Sequence, residues 1–545
     1  MPRPTRRLPR SKAMIVAPQP EASHAGAAVL ANGGNAMDAA LTCAFVQGVV
    51  DPLMCGIGGF GLMNVYDPAT GRQTIWSGLG GCPKAATDTM WEDLYIGETS
   101  DGFGHITKGF VNEAGATAVT APPILDLFRQ AHEKYGSSEW SDLVGPAIDV
   151  ANAGWLVRPH TYAVFTQNER KYGRMNYGEK LLLTEDGRRI YGSDNGGFKK
   201  LGETIKNPDL ARTLEQIARE GAGAFFNGAL GDHLVAELTK GGGILSKEDL
   251  ADSKADEMEP LDISYRGRRV STVPAPGGGV YLAQALKLLE QFDFDGMEHN
   301  GPEYLRLMAE VMKTAVRDRD ESVGDPRFSD VPMEKLLSEA YLAECAAYIR
   351  SGQKVDSGRT GHLESKHTTH VSCVDANGMV VSLTHTLGNP SGFIASGTGF
   401  VMNGAMSTFD PRPGRVQSIV PGKRRTSSMC PSIIFEGDTP VMTLGAPGAS
   451  WIGPGVLQVI VNALDWGMGI QEAVMAPRMV ATSNVLDISN RISPSAEAAL
   501  IADGYEVRRS PLSYAFAGVH GLTMWDGDTE GGADPQRDGM PVGVS

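Results

Sequence analysis

The chain has 545 residues, 41% hydrophobic and 21% charged, with a formal net charge of −15. That balance suits a folded mixed α/β protein rather than a disordered one. It gives no electrostatic help toward nucleic acid or an anionic membrane. No stretch holds the ~18 unbroken apolar residues of a membrane span, and the basic tail from Arg3 to Arg10 is followed by no secretory apolar core, so a cytoplasmic location is expected.

In chain order, Ala13–Ala17 reads as a short buried strand. A helix over 21–30 closes at Asn32, Gly33 and Gly34, and Asn35 can cap a second, apolar helix ending near residue 50. A glycine cluster, 56–61, precedes a strand over 62–66, a turn over 67–71 and a returning strand over 72–76. From 121 to 289 the pattern is mostly helical, with amphipathic segments at 125–135, 143–153 and 210–220 and one strand over 265–273. A long helix fits 302–320, with Pro302 in its first turn. The polar stretch 350–366 reads as an exposed connector. After it come a β-rich run over 369–375, the hairpin signal Asn377-Gly378 and a return strand over 379–387. A second hairpin, 432–435 with 441–444, leads through a loop over 445–450 to a helix over 456–464. Strands early and late with helices between them predict a layered core drawn from both ends of the chain.

Several motifs carry no chemistry. Residues 56–61 match GxGxxG, but a strand follows instead of a helix, so close backbone packing explains the glycines better than a dinucleotide does. There is no GxSxG elbow, Walker A lysine or HExxH helix. His367, His370 and His385 lack an acidic or cysteine partner at ligand spacing, so neither a metal nor a cofactor is expected. Cys43, Cys55, Cys82, Cys345, Cys373 and Cys430 form no disulfide or CxxC pattern and read as reduced, apolar fillers.

The remaining candidate is the run from Lys366 to Ser372, which contains Thr368 and Thr369. It lies where the polar connector meets a β-rich segment, a place where a chain can be cut without removing core.

Here the sequence resembles the γ-glutamyltranspeptidase family of N-terminal-nucleophile hydrolases. Matching segments run in order along nearly the whole chain: 33–40, 56–59, 146–154, 223–228, 245–250, Asp318-Arg319 with 324–326, 368–375, 427–431 and 531–535. The resemblance implies an α+β fold, a four-layer αββα sandwich. It also implies self-cleavage between His367 and Thr368. That divides the chain into a basic tail (1–12), a large subunit (13–367) and a small catalytic subunit (368–545). The two subunits would remain together as a heterodimer, which in this family is sometimes paired again. Thr368 would be the nucleophile, its new α-amino group the base, and Thr386 the hydroxyl that hydrogen-bonds it. On this reading Gly448 and Ala449 offer N–H groups to an oxyanion, and Ser427 and Ser428 contact the acyl group.

The pattern departs from the family where a γ-glutamyl group is held. Leu79 falls where an arginine clamps the α-carboxylate, Thr408 where an aspartate holds the α-amine, and Ala405 where a glutamine stands. Gly388 falls on an asparagine position, with Asn389 beside it. Lys423, Arg424 and Arg425 remain as candidate anchors for an acid group, with a solvated basic loop as the alternative. The expected substrate is therefore a small acyl amide other than glutathione, as in the oxamate amidohydrolase and cephalosporin acylase branches. The alternatives are a genuine γ-glutamyl hydrolase or transpeptidase, and a non-maturing binding or structural homologue.

Overall fold

The structure, a computed structural model, describes residues 11–100, 104–359, 368–512, 516–525 and 527–545. Tail residues 1–10, most of the segment before Thr368 and His367 itself lie outside the described residues.

Thirteen strands build two antiparallel sheets: β1 (Ala13–Ala17), β2 (Phe60–Asp67), β3 (Arg72–Gly78), β4 (Asp256–Met258), β5 (Leu261–Tyr265), β6 (Arg268–Thr272), β7 (Thr369–Val374), β8 (Val380–Thr386), β9 (Ser432–Glu436), β10 (Thr439–Gly445), β11 (His520–Trp525), β12 (Asp528–Ala533) and β13 (Met540–Val544). The first sheet has the order β13-β1-β7-β8-β2-β3-β4, the second β12-β11-β10-β9-β6-β5. Helices α1 (Pro20–Ala31), α2 (Ala36–Val50), α3 (Ile124–Tyr135), α4 (Trp140–Ala153) and α5 (Pro208–Glu220) cover the outer face of the first sheet. Helices α6 (Gly279–Leu289), α7 (Pro302–Ser322), α8 (Glu339–Arg350) and α9 (Ile452–Leu464) cover the second.

Side-chain alternation sorts three cores. Along β1, Ile15 and Ala17 face the helices, whereas Met14 and Val16 face the other sheet with Val374, Val380, Ile433, Phe435 and Leu522. Both faces of the central strands are covered, so β1 and β7 are buried along their whole length. This is the four-layer αββα sandwich.

Local chemistry sets several element ends. Asn35 caps α2 through a reciprocal capping box with Asp38. The single strand expected over 265–273 is instead a hairpin, because Arg266 and Gly267 turn the chain with φ of 49° and 75°. Strands β11 to β13 complete both sheets although the sequence pattern did not predict them. All six cysteines are buried and free. Among the described residues no helix is long and apolar enough to cross a membrane.

Candidate active site

Strands β7 and β8 pair with Thr369 opposite His385, so one residue further on Thr368 stands opposite Thr386. Period-2 alternation then assigns faces. Thr369 and His385 point toward α2, where Gln47 donates to Thr369 Oγ1 (2.9 Å) and meets His385 Nε2 (2.8 Å). Thr368, His370, Thr384 and Thr386 point between the sheets. There His370 Nδ1 meets Thr384 Oγ1 at 2.8 Å and Nε2 meets Ser372 Oγ at 2.9 Å. Both histidines are thus engaged and dry; burial pushes each down to about 3.

At the open end of this layer the Thr368 hydroxyl donates to Thr386 Oγ1 (3.1 Å). Thr386 Oγ1 also accepts from the Gly388 N–H (2.8 Å), which fixes its orientation. Thr368 holds φ at 89°, a left-handed value that is costly for a β-branched residue, about 1–3 kcal/mol. The glycine cluster serves this end: a side chain on Gly59 would overlap the Thr386 carbonyl oxygen. That is the packing role expected for residues 56–61.

The second sheet delivers the other half of the site. Strand β10 runs past His370 so closely that a Cβ on Gly445 would overlap the imidazole. The following loop carries Gly448 (φ 143°) and Ala449 (φ 48°) to the start of a short 3-10 turn that opens α9. Among the described residues neither amide N–H has a hydrogen-bond partner. Two unpaired N–H groups at a helical N-terminus form a ready site for negative charge. Ser450, next in line, has a buried Oγ that is likewise unpartnered. Sequence reasoning passed over it because only its burial marks it.

A cavity of about 690 Å³ opens beside this end, lined by Ser427, Ser428, Thr408, Ser450 and Arg425 among others. Thr368 is 4% exposed and is not one of the residues that line it. The Ser427 Oγ accepts from the Met429 N–H (3.2 Å), and Thr408 donates to the Ala405 carbonyl (2.9 Å). Two of the positions singled out from the sequence around the acyl pocket lie elsewhere. Leu79 is buried in the core of the second sheet. Asn389 is fully buried in a polar knot away from the cavity: its Oδ1 accepts from Lys180 Nζ (2.7 Å) and its Nδ2 donates to Glu113 (2.7 Å). The asymmetric demand of a buried ammonium and carboxylate explains why an amide sits there.

The three basic candidates separate cleanly. Lys423 Nζ donates to the carbonyls of Val416 (2.5 Å) and Ser418 (3.1 Å) and is structural. Arg424 pairs with Asp256. Arg425 lines the cavity.

Comparison with known proteins follows the same lines. A family model described as gamma-glutamyltranspeptidase matches residues 22–544. The acylase ACY 1 proenzyme of Pseudomonas sp. (strain SE83) is 36% identical over 543 residues, 98% of this chain and 94% of that protein. A glutathione hydrolase proenzyme of Pseudomonas aeruginosa is 35% identical over 486 residues, 85% of this chain and 82% of its own length. Among solved structures, the cephalosporin acylase of Bacillus halodurans superposes with a TM-score of 0.86 at 25% identity, covering 100% of this chain and 98% of that one.

Proposed function

Since the chain belongs to the gamma-glutamyltranspeptidase family and is an enzyme that acts on amide bonds, we propose that it matures by cutting itself before Thr368 and then hydrolyses a small acyl amide through that threonine. The observation that carries this reading is the pair of threonine hydroxyls 3.1 Å apart at the end of the β7–β8 ladder, together with two unpartnered amides on the loop that follows β10.

Maturation needs only local groups. Attack of the Thr368 hydroxyl on the carbonyl of the bond that joins it to the preceding residue converts that amide to an ester. Water then hydrolyses the ester and leaves a free α-amino group. The left-handed φ at Thr368 favours a cut that releases it. In the mature protein the α-amine, with an ordinary pKa of about 7.7–8.0, takes the hydroxyl proton as Oγ1 attacks the substrate carbonyl. The oxyanion is held by the N–H groups of Gly448 and Ala449. The proton passes to the leaving amine as the C–N bond breaks, an acyl ester on Thr368 remains, and water completes the cycle.

The acyl group would lie in the cavity beside Ser427 and Ser428. Leu79 and Asn389, buried elsewhere, take no part in holding it. Acylase relatives support an acyl amide over glutathione.

The test is intact mass spectrometry with a denaturing gel. The 58.0 kDa chain should give two fragments meeting between His367 and Thr368, and Thr368→Ala should leave one. A wild-type protein that stays whole yet hydrolyses acyl anilides would overturn the proposal.

A further inference from the structure

Arg425 is 5% exposed, and its environment is unusual for a guanidinium. Its Nε donates to the Thr426 carbonyl (3.1 Å), and its plane lies over the Phe60 ring, 4.7 Å from the centroid. Its two terminal nitrogens have no hydrogen-bond partner, and no carboxylate pairs with it, among the described residues. A buried charge without a counter-charge is costly, and structures normally compensate it.

The other cationic groups of the cavity are all compensated. Arg319 and Arg359 share Asp320, Arg412 bridges Asp410 and Glu98, and Arg317 donates twice to Asp318 Oδ1. Among the described residues Arg425 is the cation of this lining that has no acid partner. Burial lowers its pKa to about 10, so it stays protonated at neutral pH.

Its position relates it to the nucleophile. The Arg425 N–H donates to the Gly80 carbonyl (3.3 Å), anchoring the loop against the end of β3. A Cβ on Gly388 would fall 2.8 Å from Arg425 Nη1, so only glycine, here at φ 65°, leaves room for the guanidinium. Gly388 is also the residue whose N–H orients Thr386. The cation therefore sits beside the turn that positions the nucleophile's partner.

We propose that Arg425 is the specificity-determining group of this enzyme and receives a carboxylate at the far end of the acyl chain, so that the preferred substrates are amides of short dicarboxylic acids. A planar guanidinium with two free N–H edges suits bidentate carboxylate recognition. The inference rests on the threonine-nucleophile reading above.

The probes are glutaryl-p-nitroanilide and the neutral pentanoyl-p-nitroanilide, assayed with wild type, Arg425→Gln and Arg425→Lys. Wild type should favour the glutaryl compound by on the order of 100-fold in kcat/KM, chiefly through KM. Arg425→Gln should abolish that preference while still yielding two fragments, and Arg425→Lys should restore part of it. A cleaved, active Arg425→Gln enzyme with the wild-type preference would overturn the assignment. If that variant does not mature, the wild-type ratio decides: a cleaved enzyme that hydrolyses both anilides equally well also overturns it. Failure of the nucleophile reading looks different, because the wild-type chain would then remain whole.

Discussion

Replacing Thr386 by valine tests the site where the reasoning is tightest. Valine keeps the shape and removes one oxygen, which accepts from Thr368 Oγ1 at 3.1 Å and from the Gly388 N–H at 2.8 Å. Because the Gly388 N–H occupies a lone pair of Thr386 Oγ1, the Thr386 proton is free to swing toward the Thr368 oxygen as that oxygen loses its own. A hydrogen bond to a charged partner contributes about 1.5–3 kcal/mol, so kcat should fall roughly 10- to 150-fold. The stranded Gly388 N–H, in a site where Thr386 is 3% exposed, should also lower stability by about 1–3 kcal/mol. The assay is kcat on glutaryl-p-nitroanilide for fully matured protein, with urea unfolding alongside and Thr386→Ser as the variant that keeps the hydroxyl. A matured Thr386→Val enzyme with kcat within about twofold of wild type would refute the pairing, since a factor of two is under ~0.5 kcal/mol.

Other consequences are as direct. Gly448→Ala would bring a Cβ within 2.7 Å of Ala517 Cβ at a φ of 143°, so the loop must move and kcat should drop by about 10²–10³-fold; Ala449→Gly keeps its N–H at φ 48° and should leave kcat nearly unchanged. Asn389→Ala should cost about 1–3 kcal/mol of stability by exposing the Lys180–Glu113 pair, with KM unmoved, as equilibrium unfolding and steady-state kinetics would show together. His370 and His385 are held near 3, below the ordinary 6.5, so the unfolded chain takes up protons first as pH falls. Stability present above about pH 6.5 is then lost progressively toward pH 3, and His385→Gln should flatten that slope in urea melts by about one proton. The same two histidines cannot supply an ionisation near neutrality, so kcat/KM should rise along a single limb set by the α-amine at about pH 7.7–8.0, unmoved by His385→Gln.

The parts of this molecule legible in sequence are those fixed by neighbours along the chain. Asn35 with Asp38 announces α2, and Asn377-Gly378 announces the β7–β8 turn, from which the opposition of Thr368 and Thr386 follows by counting. The turn at Arg266 was hidden because a non-glycine residue takes the left-handed conformation there. Strands β11 to β13 were hidden because runs such as Thr529 to Gly532 have little strand propensity; the sheets recruit them. Three consecutive basic residues, 423–425, look alike in sequence. They are told apart only by distant partners: Arg424 finds Asp256, 168 positions away, while Arg425 finds no acid. Asn389 likewise belongs to Lys180, 209 positions away, rather than to the neighbouring Gly388.

A cut before Thr368 falls on a seam that the sheets close. In the first sheet, β13, β7 and β8 follow the cut, and each of the ladders β13–β1, β1–β7 and β8–β2 joins them to strands that precede it. In the second sheet, the β9–β6 ladder does the same. Separating the two fragments would expose four rows of backbone hydrogen bonds and all three hydrophobic cores together, a cost on the scale of unfolding itself. Strand β7 begins only at Thr369, one residue after the cut. The chain can therefore lose that one covalent link while the architecture stays closed. On the proposed maturation, the amino group so created would remain on a residue already held opposite Thr386, and the new base would have no distance to travel.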